Sequence, residues 1–183
     1  RLLTSSWTGE VKFWDLSSDL SPSSDIVAPL SVSSFSWERT KIVQARWKTG
    51  SADVAVAGGV FQSRGLLSLI DSRSPSDHVI PSVKTSSTIL HIEWNDENSF
   101  VCSTEAGELA IYDVRKWDKA LITKEEAHDA PINSVSISNG KVVSGGDDAT
   151  VFLWNTESSA FNLVDQYNGH TGAITATKWL FGE

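Results

Sequence analysis

Ser144-Gly145-Gly146-Asp147-Asp148-Ala149-Thr150-Val151-Phe152-Leu153-Trp154-Asn155 closes a stretch that opens at His128-Asp129 and passes through Ile132-Asn133-Ser134-Val135-Ser136-Ile137 and Lys141-Val142-Val143. Apolar and polar residues alternate within each run, and Gly/Asp clusters interrupt the runs. That is the pattern of short antiparallel strands with one buried face. The stretch reads as strand and turn in alternation.

The rest of the chain repeats it. With Trp154-Asn155 as an anchor, an apolar residue followed by Asp recurs at Trp14-Asp15, Ile70-Asp71 and Tyr112-Asp113, and the last two steps are 42 residues each. The step from Trp14 to Ile70 is longer by 14, which we assign to the Ser-rich segment Ser17–Ser24 and to an expanded turn near Gly58–Gly65. A second anchor, the strand ahead of each copy, gives Ile42–Trp47, Ile89–Trp94, Ile132–Ile137 and Ile174–Trp179 at steps of 47, 43 and 42.

A period of roughly 40–45 residues with four strands per copy is that of a repeat architecture built from propeller blades. Within it, Ser144–Asn155 together with His128 resembles the WD-repeat family, whose motif runs Ser-Gly-x-x-Asp-x-Thr-apolar-x-apolar-Trp-Asp. The first copy matches partly and the middle two loosely. The resemblance implies an all-β fold, a β-propeller of four-stranded antiparallel blades, with this chain supplying about four blades of a seven- or eight-bladed ring. It also implies that His128, Ser144, Asp148 and Trp154 form a structural hydrogen-bonded tetrad, of which the first copy keeps Thr4 and Trp14. The third copy offers Cys102, Ala106 and Tyr112 instead, and the second has Ile70 at the Trp position. A Ser, a His and an acid also invite comparison with a hydrolase triad. His128 and His170, however, stand 42 residues apart, and a catalytic His has no reason to recur at the repeat spacing.

Taken in order, the copies span 1–36 (partial), 42–84, 89–123 and 132–165, and 174–183 holds only the opening strand of a fifth. The first copy offers strands at Arg1–Ser6, Val11–Leu16 and Ile26–Ser33 and lacks its opening strand. The strands expected number sixteen, which would also suffice for a four-bladed ring; the resemblance favours the larger one. The chain starts at Arg1 inside a strand and contains no Met, so we expect its true N-terminus to lie upstream.

Composition narrows the function. The single cysteine, Cys102, rules out an internal disulfide, and with no Asn-x-Ser/Thr acceptor the expected setting is a reducing one, nucleus or cytoplasm. The longest uncharged apolar stretch, Val54–Phe61, is far short of the roughly 20 residues of a spanning helix, so no membrane insertion is expected. Net charge is −8, from 15 basic and 23 acidic residues, and no basic cluster exceeds Arg115-Lys116, which disfavours direct nucleic-acid binding. His78, His91, His128, His170 and Cys102 show none of the short spacings of zinc sites, and Gly58-Gly59 lacks the Gly-Lys-Ser/Thr of a phosphate loop. Asp147-Asp148 reads as a turn aspartate beside an exposed neighbour rather than a cation site. No metal, cofactor or catalytic residue is expected.

Eight tryptophans are many for this length. Trp14 and Trp154 occupy the tetrad position, and Trp47, Trp94 and Trp179 end the repeated first strand, where they should pack between blades. Trp7, Trp37 and Trp117 fall in turns or at strand ends, where an aromatic has no core to fill and suits a binding anchor. Trp7 takes the turn position held by Glu105 and Asp147 in later copies, and the Trp37 link and the Phe61–Arg64 insertion should share its rim. The candidate partner-binding surface is therefore Trp7, Trp37, Phe61, Arg64, Glu105 and Asp147. Separately, Tyr112-Asp113-Val114-Arg115 resembles the Trp-Asp-x-Arg box by which some WD-repeat proteins dock onto the adaptor of a cullin-RING ubiquitin ligase, and Ile70-Asp71-Ser72-Arg73 echoes it. That resemblance makes Arg73 and Arg115 candidate adaptor contacts, against a plainer reading in which each Arg closes a strand-end turn through its Asp. The function expected is a non-catalytic scaffold that binds other protein subunits of a larger assembly. The alternatives are a ligase substrate receptor and a recognition module for a basic or modified peptide.

Overall fold

A computed structural model describes residues 1–15, 31–74 and 82–180. The Ser17–Ser24 loop, the start of the outer strand expected from Ile26 and the start of the one expected from His78 lie outside the described residues. Fifteen strands are described: β1 (Leu2–Ser5), β2 (Glu10–Trp14), β3 (Ser31–Ser36), β4 (Thr40–Trp47), β5 (Val54–Phe61), β6 (Arg64–Asp71), β7 (Ser82–Thr85), β8 (Ile89–Trp94), β9 (Ser99–Thr104), β10 (Leu109–Asp113), β11 (Ile122–Lys124), β12 (Ile132–Ser138), β13 (Lys141–Gly146), β14 (Val151–Asn155) and β15 (Asn162–Tyr167). They form one three-stranded sheet, β1-β2-β3, and three four-stranded sheets, β4 to β7, β8 to β11 and β12 to β15, each antiparallel and in chain order. We call these sheets blades one to four. Among the described residues there is no helix, and so none long and apolar enough to cross a membrane.

Three cores lie between neighbouring blades. Val11, Phe13 and Phe35 of blade one pack with Ile42, Ala55, Ala57 and Ile70 of blade two. Val56 and Leu67 of blade two pack with Ile89, Ile92, Phe100 and Cys102 of blade three. Val101, Leu109 and Ile111 of blade three pack with Ile132, Val135 and Trp154 of blade four. Alternate residues of one strand thus enter different cores: Ala55 and Ala57 face one way and Val56 the other, as Val101 faces away from Phe100 and Cys102. A strand buried on both faces reads as a continuous apolar run, which is why Val54–Phe61 shows no alternation.

That run also corrects an expectation. Gly58–Gly65 is no expanded turn: β5 and β6 run eight residues each and pair to their ends, Phe61 opposite Arg64, leaving only Gln62 and Ser63 as the turn. The extra length of copy two went into a longer hairpin. Gly58 and Gly59 sit within β5 because a Cβ on Gly58 would lie 2.7 Å from Ile89 Cγ2, and one on Gly59 would collide with the backbone carbonyl of Lys41.

The first strand β8 touches the first strands β4 and β12 on either side, and these strands lie innermost. Each slips register at the same place, between Ile42 and Gln44, Ile89 and His91, and Ile132 and Ser134. The side chain just past each slip accepts a backbone N–H from the chain that follows, the next blade for Gln44 and His91 and the segment after blade four for Ser134. Ile92 N–H donates to Gln44 Oε1, Val135 N–H to His91 Nδ1 at 3.3 Å, and Thr177 N–H to Ser134 Oγ at 2.8 Å. An inner strand has no further strand to pair with, so these side chains supply acceptors that its edge would otherwise lack.

Ile174–Trp179, expected as the opening strand of a fifth copy, belongs to no sheet, because no described strand lies beside it to pair. It is held against blade four by Ile174 N–H on Gly146 O, by the Ser134 bond, and by Trp179 N–H on Ser136 Oγ at 3.2 Å. The outer strands also end later than expected, β11 at Lys124 and β15 at Tyr167, since sparse burial there leaves little apolar pattern to mark an end.

Candidate interaction face

The turns joining the second and third strands of every blade lie at one end of the sheets, as do the links into the next blade's first strand. The β1–β2 turn (Ser6–Gly9), the β9–β10 turn (Thr104–Gly107) and the β13–β14 turn (Gly146–Ala149) each close with an N–H from the fourth residue to the carbonyl of the first, at 3.1, 3.2 and 3.3 Å. The fourth residue is left-handed in each, with φ of 83° at Gly9, 78° at Gly107 and 59° at Ala149. Trp7, Glu105 and Asp147 are therefore geometric equivalents, the second residue of one turn repeated three times. Gly9 and Gly107 also admit the incoming links, since a Cβ would lie 2.4 Å from Trp37 O or 2.3 Å from His128 O.

The six candidate contact residues share this end but not one environment. Trp7 is 74% exposed, with Lys41 Nζ 5.9 Å from its ring centroid. Glu105 and Arg64 are exposed, as is Asp147, whose Oδ1 accepts from Asn133 Nδ2 at 2.6 Å. Phe61 is half-buried beneath Lys84, whose Nζ is 5.7 Å from its ring. Gln62 and Ser63 beside it hold φ of 47° and 68°, the type I′ turn of a two-residue hairpin built without glycine. Trp37 differs from expectation: its ring packs on the core between blades one and two, and its N–H donates to Gly9 O at 3.0 Å. Trp117 likewise packs on Phe100 and Tyr112, ring centroids 6.1 and 6.4 Å away, so neither indole lacks a core. Lys41, Lys84 and Asn133 join the face unforeseen. Each sits in a strand at a position whose alternation marked it only as solvent-facing.

Behind this end lies the buried polar cluster of blade four. Asp148 Oδ2 is 2.8 Å from His128 Nδ1, Ser144 Oγ is 2.7 Å from His128 Nε2, and Trp154 Nε1 donates to Ser144 Oγ at 2.9 Å. A carboxylate only accepts, so Nδ1 carries the imidazole proton, Nε2 accepts from the Ser144 hydroxyl, and that oxygen takes the indole N–H. Burial lowers the His128 pKa, and the Asp148 carboxylate opposes the shift without reversing it. Ser144 is fully buried, its hydroxyl directed to His128 and its oxygen holding the Trp154 indole N–H, so it links two strands and the turn beside them. In blade one only Trp14 Nε1 on Thr4 Oγ1 is present, at 2.8 Å. Blade three has stacked rings there, Phe100 and Tyr112 with centroids 5.7 Å apart, beside Cys102, whose thiol burial pushes up to about 12.

Arg73 and Arg115 lie at the opposite end, where third strands lead out. Arg115 donates through Nε to Asp113 Oδ1 at 2.9 Å and through Nη2 to Oδ2 at 2.6 Å, and its backbone N–H bonds Oδ1 at 2.8 Å. Arg73 grips Asp71 identically, at 2.9, 2.5 and 3.0 Å. Each guanidinium closes its own turn through Nε and Nη2 while its side chain stays 68% exposed.

Two comparisons bear on this arrangement. The family model described as WD domain, G-beta repeat matches residues 119–155, which cover the link, the cluster and three strands of blade four. The Periodic tryptophan protein 2 homolog of Dictyostelium discoideum is 32% identical over 83 residues, 44% of this chain. The matched stretch is 8% of that protein's length.

Proposed function

Because the chain belongs to the WD-repeat family, whose domains are in general non-catalytic mediators of protein–protein interaction, we propose that it is a non-catalytic scaffold that docks other subunits of a multiprotein assembly on the end bearing Trp7. One observation carries the reading: Trp7, 74% exposed, occupies a turn position whose equivalents are the exposed carboxylates Glu105 and Asp147. An exposed indole at the tip of a rigid hairpin loses little entropy on docking and contributes a large contact area. The family frame favours contact over chemistry, and the Ser144, His128 and Asp148 side chains are hydrogen-bonded to one another. The reducing setting inferred from Cys102 makes the nucleus or cytoplasm the proposed location.

Affinity capture of the chain from native extract, repeated with Trp7→Ala and Phe61→Ala combined, tests this. The expected result is a reproducible set of co-purifying subunits that the double variant loses at unchanged melting temperature. Recovery of the protein alone, or of the same subunits by the variant, overturns the proposal.

A further inference from the structure

A cleft of about 670 Å³ opens between the outer parts of blades three and four, roughly twice the 300 Å³ of the corresponding cleft between blades two and three. Beside it β11 has only three residues, whereas β15 has six. Phe152 and Trp154 form the floor with His128 and Asp148 of the polar cluster beside them, Phe161 and Leu163 a wall, and Glu126 and Asp129 the rim.

β15 is the last strand of its sheet, and no described strand pairs with its outer edge. All six of its residues are exposed, Leu163 at 54% and Val164 at 56%. An open edge of this length with apolar side chains is a template for strand addition. Charge selects the occupant. Glu126 and Asp129 are exposed and make no ion pair among the described residues, and Lys124 is the cleft's one cation. A second copy would bring the same carboxylates and another net −8, so the edge is poorly suited to itself.

We propose that this cleft receives an extended, lysine- or arginine-bearing segment of a partner protein, which adds as a fifth strand to β15 and lays cationic side chains between Glu126, Asp129 and the aromatic floor. Backbone pairing supplies the register, and the two carboxylates select positive charge. The cleft is lined by blades three and four and by none of Trp7, Trp37, Phe61, Arg64, Glu105 or Asp147, so it stands or falls without the Trp7 contact.

The test is fluorescence anisotropy with a short dye-labelled peptide alternating Lys and Val, set against its Glu–Val counterpart. The full chain should bind the first and not the second. Glu126→Lys with Asp129→Lys should weaken binding roughly tenfold or more, as should Leu163→Asp, with circular dichroism unchanged in both because these residues are exposed. The Trp7→Ala, Phe61→Ala variant should bind the peptide normally. No binding of the Lys–Val peptide, equal binding of the Glu–Val peptide, or unaltered affinity in the charge-reversed variant overturns the proposal. So does concentration-dependent dimerisation abolished by Leu163→Asp, which would assign the edge to a second copy.

Discussion

Single residues decide how each blade is fastened. Ser144 is the hub of its cluster, and Ser144→Ala strands a buried imidazole and a buried indole at once, with an expected loss of about 2–4 kcal/mol. Thr4→Ala removes one exposed bond and should cost only about 0.5–1 kcal/mol. Urea titrations of the two variants check the contrast, and equal losses would mean that the cluster is not cooperative. His91 gives a pH signature. Burial first, then Arg46, push its pKa down to about 4 from 6.5, with Glu93 opposing and Lys178 assisting. The folded state therefore binds this proton less readily than the unfolded one, and His91's contribution is intact above pH 6.5 and lost as pH falls toward 4. His91→Gln keeps an acceptor, as Gln44 does one blade earlier, and should flatten stability over that range; an unchanged slope would remove His91 as the cause. Asp113, held down to about 2 by Arg115, keeps its contribution above its ordinary 3.8 and loses it lower, so the two windows barely meet. The sequence revealed the tetrad because a shared motif fixes its spacing. It did not reveal Trp37 or Trp117, since a turn position says nothing of which neighbouring blade leans over it.

At the level of strands and turns, glycine misled most. Gly58-Gly59 is a turn signal in sequence, yet both residues lie mid-strand, where the next blade's Ile89 and Ile92 press on Gly58 and the backbone of Lys41 and Ile42 on Gly59. Gly58→Ala would put a Cβ 2.7 Å from Ile89 Cγ2 and 2.8 Å from Ile92 Cδ1. Blades two and three would have to part by a fraction of an ångström, an overpacking cost of about 1–3 kcal/mol read as a lower melting temperature. The converse holds at the tip of the same hairpin. Ser63, at φ 68°, pays for a left-handed backbone that glycine adopts freely, so Ser63→Gly should stabilise by about 0.5–1 kcal/mol in urea titrations. Loss of stability there would mean that the serine side chain contributes more than its strain costs. Strand positions were readable wherever one face is buried and blurred where neither is, which is why β12 to β14 were placed closely and β11 and β15 were not.

For the molecule as a whole, the repeat spacing matches the order of the four described sheets, but does not show that each core among the described residues lies between two of them. Three interfacial cores in series make the chain resemble a linear repeat array, in which each unit is stabilised chiefly by its neighbours. Blades two and three have a core on both faces, while β1 and β15 stand at open edges. The middle, packed on both faces of blades two and three, should therefore open only on global unfolding. Cys102 is the natural probe of that middle. It is fully buried in the core between blades two and three, and with its pKa pushed up to about 12 almost no thiolate exists at neutral pH. Alkylation of Cys102 in the native protein is expected to be immeasurably slow at first and to rise with denaturant along the global unfolding curve, while amide exchange in β1 and β15 is fast throughout. Labelling of Cys102 that outpaces global unfolding would show that blades two and three separate independently. The cores would then act as three weakly coupled contacts, and the scaffold would be flexible between blades where its proposed role requires it to be stiff.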